Sequence, residues 1–319
     1  MKALAKIGGS EAAVATLADR ARAYADEARA SSTVRAYEGD LADFRAWCES
    51  RGLTALPAGP QSVALYLTER ADTHTVATLR RRVAAISVAH RLAGAESPTT
   101  HGSVKSVLRG IARAKGTAQA QKAAINTEQL RSMVATLPES LLGCRDRALL
   151  LVGFAGAFRR SEIVGFDVRD VQFVREGALL FVRKSKTDQE QAGRTVAIPY
   201  GANPATCPVR VLESWIKNAA LTDGALFRSV NRHGQVQQAR LSAQSVALVV
   251  KRCARAAGLA CENFAGHSLR SGFCTSAAEG GAGEREIMEQ SGHKSLPVVR
   301  RYIRRGTLWK NHAAYKLGL

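Results

Sequence analysis

The sequence predicts two domains: an all-α helical bundle, followed by a mostly α, α+β domain that carries a small three-stranded sheet. Three observations lead there. The chain has 319 residues, beyond the roughly 100 to 200 that one domain usually takes. Apolar residues recur at spacings of three and four through the first third, with almost no β-branched alternation. Past residue 170 the period shortens to two over three brief runs and then lengthens again. The bounds that follow are 1–118 for the first domain, 119–125 for a linker and 126–319 for the second.

The first helix opens at Ser32 or Thr33, either of which can cap it, and buries Tyr37, Leu41, Phe44 and Cys48, with Trp47 beside them. Gly52 ends it. A second helix covers residues 60–69. A third, over 75–92, carries Val76, Leu79, Val83, Ile86 and Ala89 on one side and spreads Arg80, Arg81 and Arg82 around the other. A fourth covers 101–114, after Pro98. Residues 115–124 (KGTAQAQKAA) are small and polar with no core spacing, hence the linker. Asn126 or Thr127 starts the next helix, with Leu130, Met133 and Leu137 inward, and an apolar helix over 145–157 follows. Three short strands are expected at 171–174, 178–182 and 195–198, the last two joined by a loop rich in Lys, Asp, Gln and Gly. Beyond Pro208 the pattern reads as helical to the end.

Composition narrows the function. Lys plus Arg number 46 against 27 Asp plus Glu, a formal charge of +19. That charge is spread over folded-looking segments rather than gathered in a tail, so a polyanionic partner, nucleic acid above all, is expected. The apolar run at 148–158 is too short to span a membrane, and Met1 to Val14 lacks an apolar block of signal-peptide length. A cytoplasmic protein is the expectation. Six cysteines (Cys48, Cys144, Cys207, Cys253, Cys261 and Cys274) show no C-x-x-C pair and read as reduced core thiols, with no metal site.

Four local patterns carry chemistry. Arg159-Arg160-Ser161-Glu162 falls where a long buried helix ends and a short one starts, with Ser161 able to cap it; Arg159 there is suited to an anion or to a structural pair with Glu162. Lys184-Ser185-Lys186-Thr187-Asp188 lies in the loop between strands, where a lysine is ordinarily just solvated. His267-Ser268-Leu269-Arg270 opens a helix, and residues three apart share a face, so imidazole and guanidinium can point at one oxyanion. Ser291-Gly292-His293 ends one helix, Ser295 starts the next, and Tyr302 follows among Arg300, Arg301, Arg304 and Arg305. The tyrosine can be a core residue beside Val298 and Val299, or one whose phenolate is favoured by positive neighbours.

Taken together, Arg-x-Ser-Glu, a hairpin Lys, His-x-x-Arg, and Gly-His followed nine residues later by Tyr resemble the signature of the tyrosine recombinases, the phage integrase family. The likeness extends over nearly the whole chain, and the chain looks especially like the Cre branch, since residues 32–48 look like that branch's first DNA-facing helix. The resemblance implies a site-specific recombinase that breaks and rejoins duplex DNA through a 3′-phosphotyrosine, with Tyr302 as nucleophile. It makes Arg159 and Arg270 the clamp on the non-bridging phosphate oxygens, supported by Glu162. His267 and His293 would handle protons and touch the phosphate. Lys186, or in the alternative registration Lys184, would be the general acid on the leaving 5′ oxygen.

Such an ester exchange keeps the bond energy and needs neither ATP nor a metal, and no G-x-x-x-x-G-K-[ST] loop is present. The implied partners are double-stranded DNA and further copies of the chain, four protomers on two sites. Contact outside the site is expected from Thr33, Arg35 and Arg81 on the first domain, and from Gln244, Lys251 and Arg252 around a helix at 242–257. Trp309, Ala313 and Leu317 form a small apolar stripe in the tail, which in this family docks on a neighbouring protomer. Two rival readings stand beside this one. A type IB topoisomerase-like enzyme would share the tyrosine chemistry without pairing two sites, and a non-catalytic DNA-binding protein would need only the charge and the helices.

Overall fold

The computed structural model describes residues 31–118, 122–183, 193–307 and 313–317, with Leu17 and Arg20 before them. The chain divides into two compact units, Met1–Ala120 and Gln121–Leu319. In the first, the described helices are α1 (Ser31–Glu49), α2 (Pro60–Ala71), α3 (Val76–Leu92) and α4 (Gly102–Lys115). Pro60 at the first position of α2 and the Thr75 side chain, which accepts from the Thr78 amide, start two of them. Phe44, Trp47, Tyr66, Leu67, Leu79 and Ile86 form the core. Phe44 and Trp47 each meet the Tyr66 ring edge-on, at centroid distances of 4.9 and 5.4 Å.

One expectation fails in this unit. Arg82 is buried rather than on the outer face, and its guanidinium bonds to Asp43 and to the Tyr66 hydroxyl. Three consecutive arginines on a helix span about 200° of its circumference, so one of them must approach the core and be satisfied there.

The second unit begins by packing, not as a free linker. The Ala123 amide donates to the Asn263 carbonyl at 2.8 Å, the Ile125 amide to that of Ser268 at 3.1 Å, and Ile125 is wholly buried. The expected linker end at 125 is therefore too late, because an apolar side chain and two amides in that stretch are committed to this unit. Helices α5 (Thr127–Ala135), α6 (Leu141–Ala155) and α7 (Arg160–Gly165) follow, then β1 (Val171–Val174), β2 (Gly177–Val182) and β3 (Arg194–Pro199). The strands form one antiparallel sheet in sequence order, with Leu180 opposite both Val171 and Val196. Helix α8 (Pro208–Asn218) buries Trp215, whose indole N–H donates to the Leu226 carbonyl at 2.8 Å.

A second pairing, β4 (Arg228–Val230) with β5 (Val236–Arg240), was not expected, since residues beyond Pro208 read as helical throughout. The hairpin is short and β5 is mostly exposed, so it lacks the alternation that marks a half-buried strand. Helices α9 (Ala243–Ala256), α10 (Ser268–Glu279), α11 (Glu284–Ser291) and α12 (Leu296–Gly306) follow, and short 3-10 turns lie at Pro98–Thr100, Val168–Asp170, Pro204–Thr206, Cys261–Asn263 and Ala313–Lys316. Among the described residues no helix is long and apolar enough to cross a membrane.

Candidate active site

Helix α6 delivers the first arginine. After Ala155 the chain bends at Ala157, which takes a left-handed φ of 49° and is fully buried. For an alanine this conformation costs about 1 kcal/mol or more. The bend lets α7 start at once, with Arg159 in the cap position. Glu162 reaches back: its Oε2 accepts the Arg159 amide at 2.9 Å and its Oε1 the Arg159 Nη1 at 2.6 Å. The carboxylate thus caps the helix and orients the arginine in one step, and Ser161, expected as the cap, lies instead in the first turn. Gly153 permits the close approach behind it, since a Cβ there would stand 2.8 Å from Ile163 Cδ1 and 3.0 Å from Leu269 Cδ1.

Helix α10 delivers His267 and Arg270 from its first turn. Arg270 is fully buried; its Nη1 donates to the Ala157 carbonyl at 2.7 Å and to the Ser291 carbonyl, while its Nη2 has no hydrogen-bond partner among the described residues. Burial first, and Arg159 second, pull its pKa down to about 10. A buried guanidinium with an uncommitted donor is costly unless something anionic arrives to use it.

Helices α11 and α12 bring the remaining pair. Gly292 ends α11 in the left-handed conformation, φ 65°. The His293 Nδ1 then lies 2.6 Å from the Ser291 hydroxyl. Val299, Ile287, Cys274 and Ala278 form a small cluster that fixes α12 against α10 and α11, with Tyr302 and Ile303 packed on its edge. The Tyr302 hydroxyl is 3.0 Å from His267 Nε2, and the Tyr302 and His293 rings are 5.7 Å apart.

Both histidines are held neutral. Burial, then Arg270, Arg159, His267 and Arg194, bring His293 down to about 3. Desolvation in the cleft, then Arg270 and Arg159, put His267 below the usual imidazole range, although its outer edge meets solvent. A neutral Nε2 within hydrogen-bond reach of a phenol can accept its proton.

Arg159, Glu162, His267, Arg270, His293 and Tyr302, separated by up to 143 positions in the chain (302 − 159), are thereby brought to one place. Positive charge reaches the two histidines beside Tyr302 from Arg270 and Arg159. Arg300, Arg301 and Arg304 are exposed, and Arg300 pairs with Glu284 at 2.8 Å. The buried charge comes from α7 and α10. Lys184 and Lys186 lie outside the described residues, as do Trp309 and its neighbours at 308–312.

Sequence reading missed Arg194, the first residue of β3. Its Nη1 donates to the Gln290 carbonyl at 3.0 Å, its Nη2 to the Ser291 carbonyl at 3.5 Å, and Nη2 lies 3.6 Å from Glu162 Oε2. In sequence it is the end of a polar loop, with nothing to separate it from the other cations there.

Away from this centre, Arg35, Gln244 and Lys251 are exposed and Thr33 is half-buried. Arg81 and Arg252 have intramolecular partners that their spacing did not reveal. Arg81 forms a two-pronged pair with buried Asp40, at 2.7 and 3.0 Å, and Arg252 bonds to buried Asp146. Both remain about half exposed, at 48% and 53%.

Comparison with known proteins identifies the family and the fold. The phage integrase family matches residues 123–307, and the N-terminal SAM-like domain of phage integrases matches residues 23–97. An integrase/recombinase xerD homolog of Selenomonas ruminantium is 40% identical over 302 residues, covering 93% of this chain and 89% of that protein. The fold is that of lambda integrase. A tetramer of that protein on a Holliday junction gives a TM-score of 0.60 at 19% identity, over 94% of this chain and 80% of that one. A dimer on a COC' core site gives 0.60 at 18%, over 90% and 76%.

An α+β domain of this fold behind a SAM-like helical domain defines an enzyme that cleaves and rejoins DNA strands. The chain belongs to the phage integrase family, as a tyrosine recombinase that carries out site-specific DNA recombination.

Proposed function

We propose that Tyr302 attacks the scissile phosphate of a duplex site in line, leaving a 3′-phosphotyrosyl bond and a free 5′ hydroxyl. The observation that carries this reading is the 3.0 Å contact between the Tyr302 hydroxyl and His267 Nε2, beside a buried Arg270 with an uncommitted donor. His267 takes the phenolic proton as the new P–O bond forms. Arg159 and Arg270 hold the non-bridging oxygens, on which negative charge rises in the transition state. The Ser291 hydroxyl donates to the Ile287 carbonyl and so takes the Nδ1 proton of neutral His293, which leaves the His293 Nε2 as an acceptor for a proton at the reacting phosphate. Glu162 keeps Arg159 aimed. Lys186, or Lys184 in the alternative registration, protonates the leaving 5′ oxygen. Rejoining runs the same steps backwards with a different 5′ hydroxyl, so the phosphodiester energy is retained and no cofactor is consumed.

In this reading the first unit clamps the DNA and the second cuts it, with the exposed Arg35, Gln244 and Lys251, together with Thr33, contacting the duplex. Arg81 and Arg252 offer a phosphate the edge that their carboxylate partners leave open. The chain acts on DNA in the cytoplasm as a tetramer joined through its C-terminal tail. Pairing two specific sites separates this enzyme from a type IB topoisomerase-like one, which would relax supercoils at single sites.

Tyr302→Phe tests the core of the reading, because it keeps the ring and removes only the nucleophilic oxygen. On a nicked suicide duplex the wild-type chain should form a covalent adduct on a denaturing gel, and the variant should bind the same DNA and form none. An adduct that persists in the variant assigns the nucleophile elsewhere.

A further inference from the structure

We propose that Arg194 is a positioning residue for cleavage, locking the base of the β2–β3 hairpin to the Gln290–His293 turn and to the Arg159–Glu162 pair, so that both clamp arginines and His293 are held as one unit. The inference rests on the Tyr302 reading above and adds a residue that the recombinase signature does not contain.

The geometry is one of shared acceptors. Arg194 stands at the start of β3, opposite Val182 at the end of β2. Its Nη2 approaches the Ser291 carbonyl at 3.5 Å, and the same carbonyl accepts Arg270 Nη1. That Nη2 also stands 3.6 Å from Glu162 Oε2, while the other oxygen of this carboxylate holds Arg159 at 2.6 Å. Arg194 therefore shares one acceptor with each arginine of the clamp. Its Nη1 fixes the Gln290 carbonyl at 3.0 Å, so this guanidinium joins Arg270 at the Ser291 carbonyl and the Gln290 side chain at the Ala155 and Ala197 carbonyls in holding the last turn of α11, which leads directly into His293.

The turn is also shaped around it. A Cβ at Gly292 would stand 2.7 Å from Arg194 Nε, at a φ of 65° that side chains rarely adopt. That Nε is buried and has no partner among the described residues. Were the role only to tie two carbonyls to a hairpin, a neutral amide would do so without burying a charge. An arginine adds a rigid fork and a third positive charge beside a single buried carboxylate. Three guanidiniums against one carboxylate leave an excess of two charges, which suits a phosphate that gains negative charge as it is attacked.

The test uses the full chain and the nicked suicide duplex, with single-turnover cleavage and DNA affinity measured side by side. Arg194→Met should cut roughly 100-fold more slowly while binding DNA within about 3-fold of wild type. Arg194→Lys, which restores the charge but not the fork, should recover part of that loss. In a His293→Ala background the same Arg194→Met change should cost less than about 10-fold, because residues acting as one unit are not additive.

Cleavage by Arg194→Met within about 3-fold of wild type overturns the proposal. So do penalties that simply multiply with His293→Ala. A loss of DNA binding as large as the loss of cleavage also overturns it, since that marks general damage to the fold. Absence of a Tyr302-dependent adduct in the wild-type chain overturns both this proposal and the reading it rests on, whereas a normal wild-type adduct with unaffected Arg194 variants removes this proposal alone.

Discussion

Replacing Arg270 with Met should leave the fold standing while it abolishes cleavage, and the two halves of that statement have separate origins. In the free protein the guanidinium sits at about 10 against an ordinary 12.5. At 1.36 kcal/mol per tenfold, that places roughly 3 kcal/mol against keeping the charge folded and buried. The sign is fixed: a depressed arginine pKa means the protonated form is disfavoured by folding at every pH below it, so removing the charge returns that energy. Against it stand the Ala157 and Ser291 carbonyls, which lose their shared donor. Each lost partner costs about 1 to 2 kcal/mol. Met fills most of the vacated volume and adds only a small packing change.

The two contributions are of similar size, and the variant's stability should lie within about 2 kcal/mol of wild type. Urea unfolding, with midpoint and m-value compared, measures this. Cleavage of the suicide duplex should fall by at least roughly 1000-fold, because one transition-state donor and a full charge are gone. An arginine serving only as a structural anchor behaves the other way, costing about 3 to 5 kcal/mol when its buried pair is broken. A large stability loss with cleavage retained would refute the argument.

The remaining predictions concern the turn and the histidines. Gly292→Ala forces a side chain into the left-handed region and against Arg194, and should cost about 1 to 2 kcal/mol of stability. It should also slow cleavage at least about 10-fold, as followed by single-turnover kinetics; an unchanged rate would show that the turn tolerates displacement. The pH profile of kcat/KM reports the free enzyme. With His267 below the usual imidazole range and His293 at about 3, both are neutral at pH 7 and stay so as the pH is lowered past the point where free imidazole gains its proton. The acid limb should therefore begin below about 6.5, the reference value for His. A limb at or above that value would mean that the base is not His267 as placed here.

How much of this was legible in the sequence follows from what kind of signal each feature leaves. The three-stranded sheet was readable almost to the residue, because Ala178, Leu180 and Val182 face the core at every second position. The β4–β5 hairpin left no such trace, since Val236–Arg240 is exposed along most of its length and pairs through its backbone. Six of the seven expected catalytic side chains are described, and they converge because short, ordered motifs place five of them at helix starts and turns and Tyr302 inside the helix Leu296–Gly306. Arg194 belongs to no motif, and only its contacts with Gln290, Ser291 and Glu162 distinguish it from a solvated strand end.

The same distinction explains why neighbours along the chain misjudged the charges. A run such as Arg300-Arg301-Tyr302 suggests that the tyrosine's field comes from adjacent residues, yet successive helical positions point about 100° apart and the two arginines face outward. Buried charge at the two histidines beside it comes from Arg159 and Arg270, 143 and 32 positions away from the tyrosine (302 − 159 and 302 − 270), where desolvation strengthens each charge. Arg81 and Arg252 make the converse case. Each looked like a free cation on a helix and is tied to a buried aspartate. Charge count predicts a polyanionic partner for the molecule, but which cations act on it is decided by the carboxylates, and here Glu162 fixes the aim of Arg159 while two backbone carbonyls, which carry no net charge, hold Arg270.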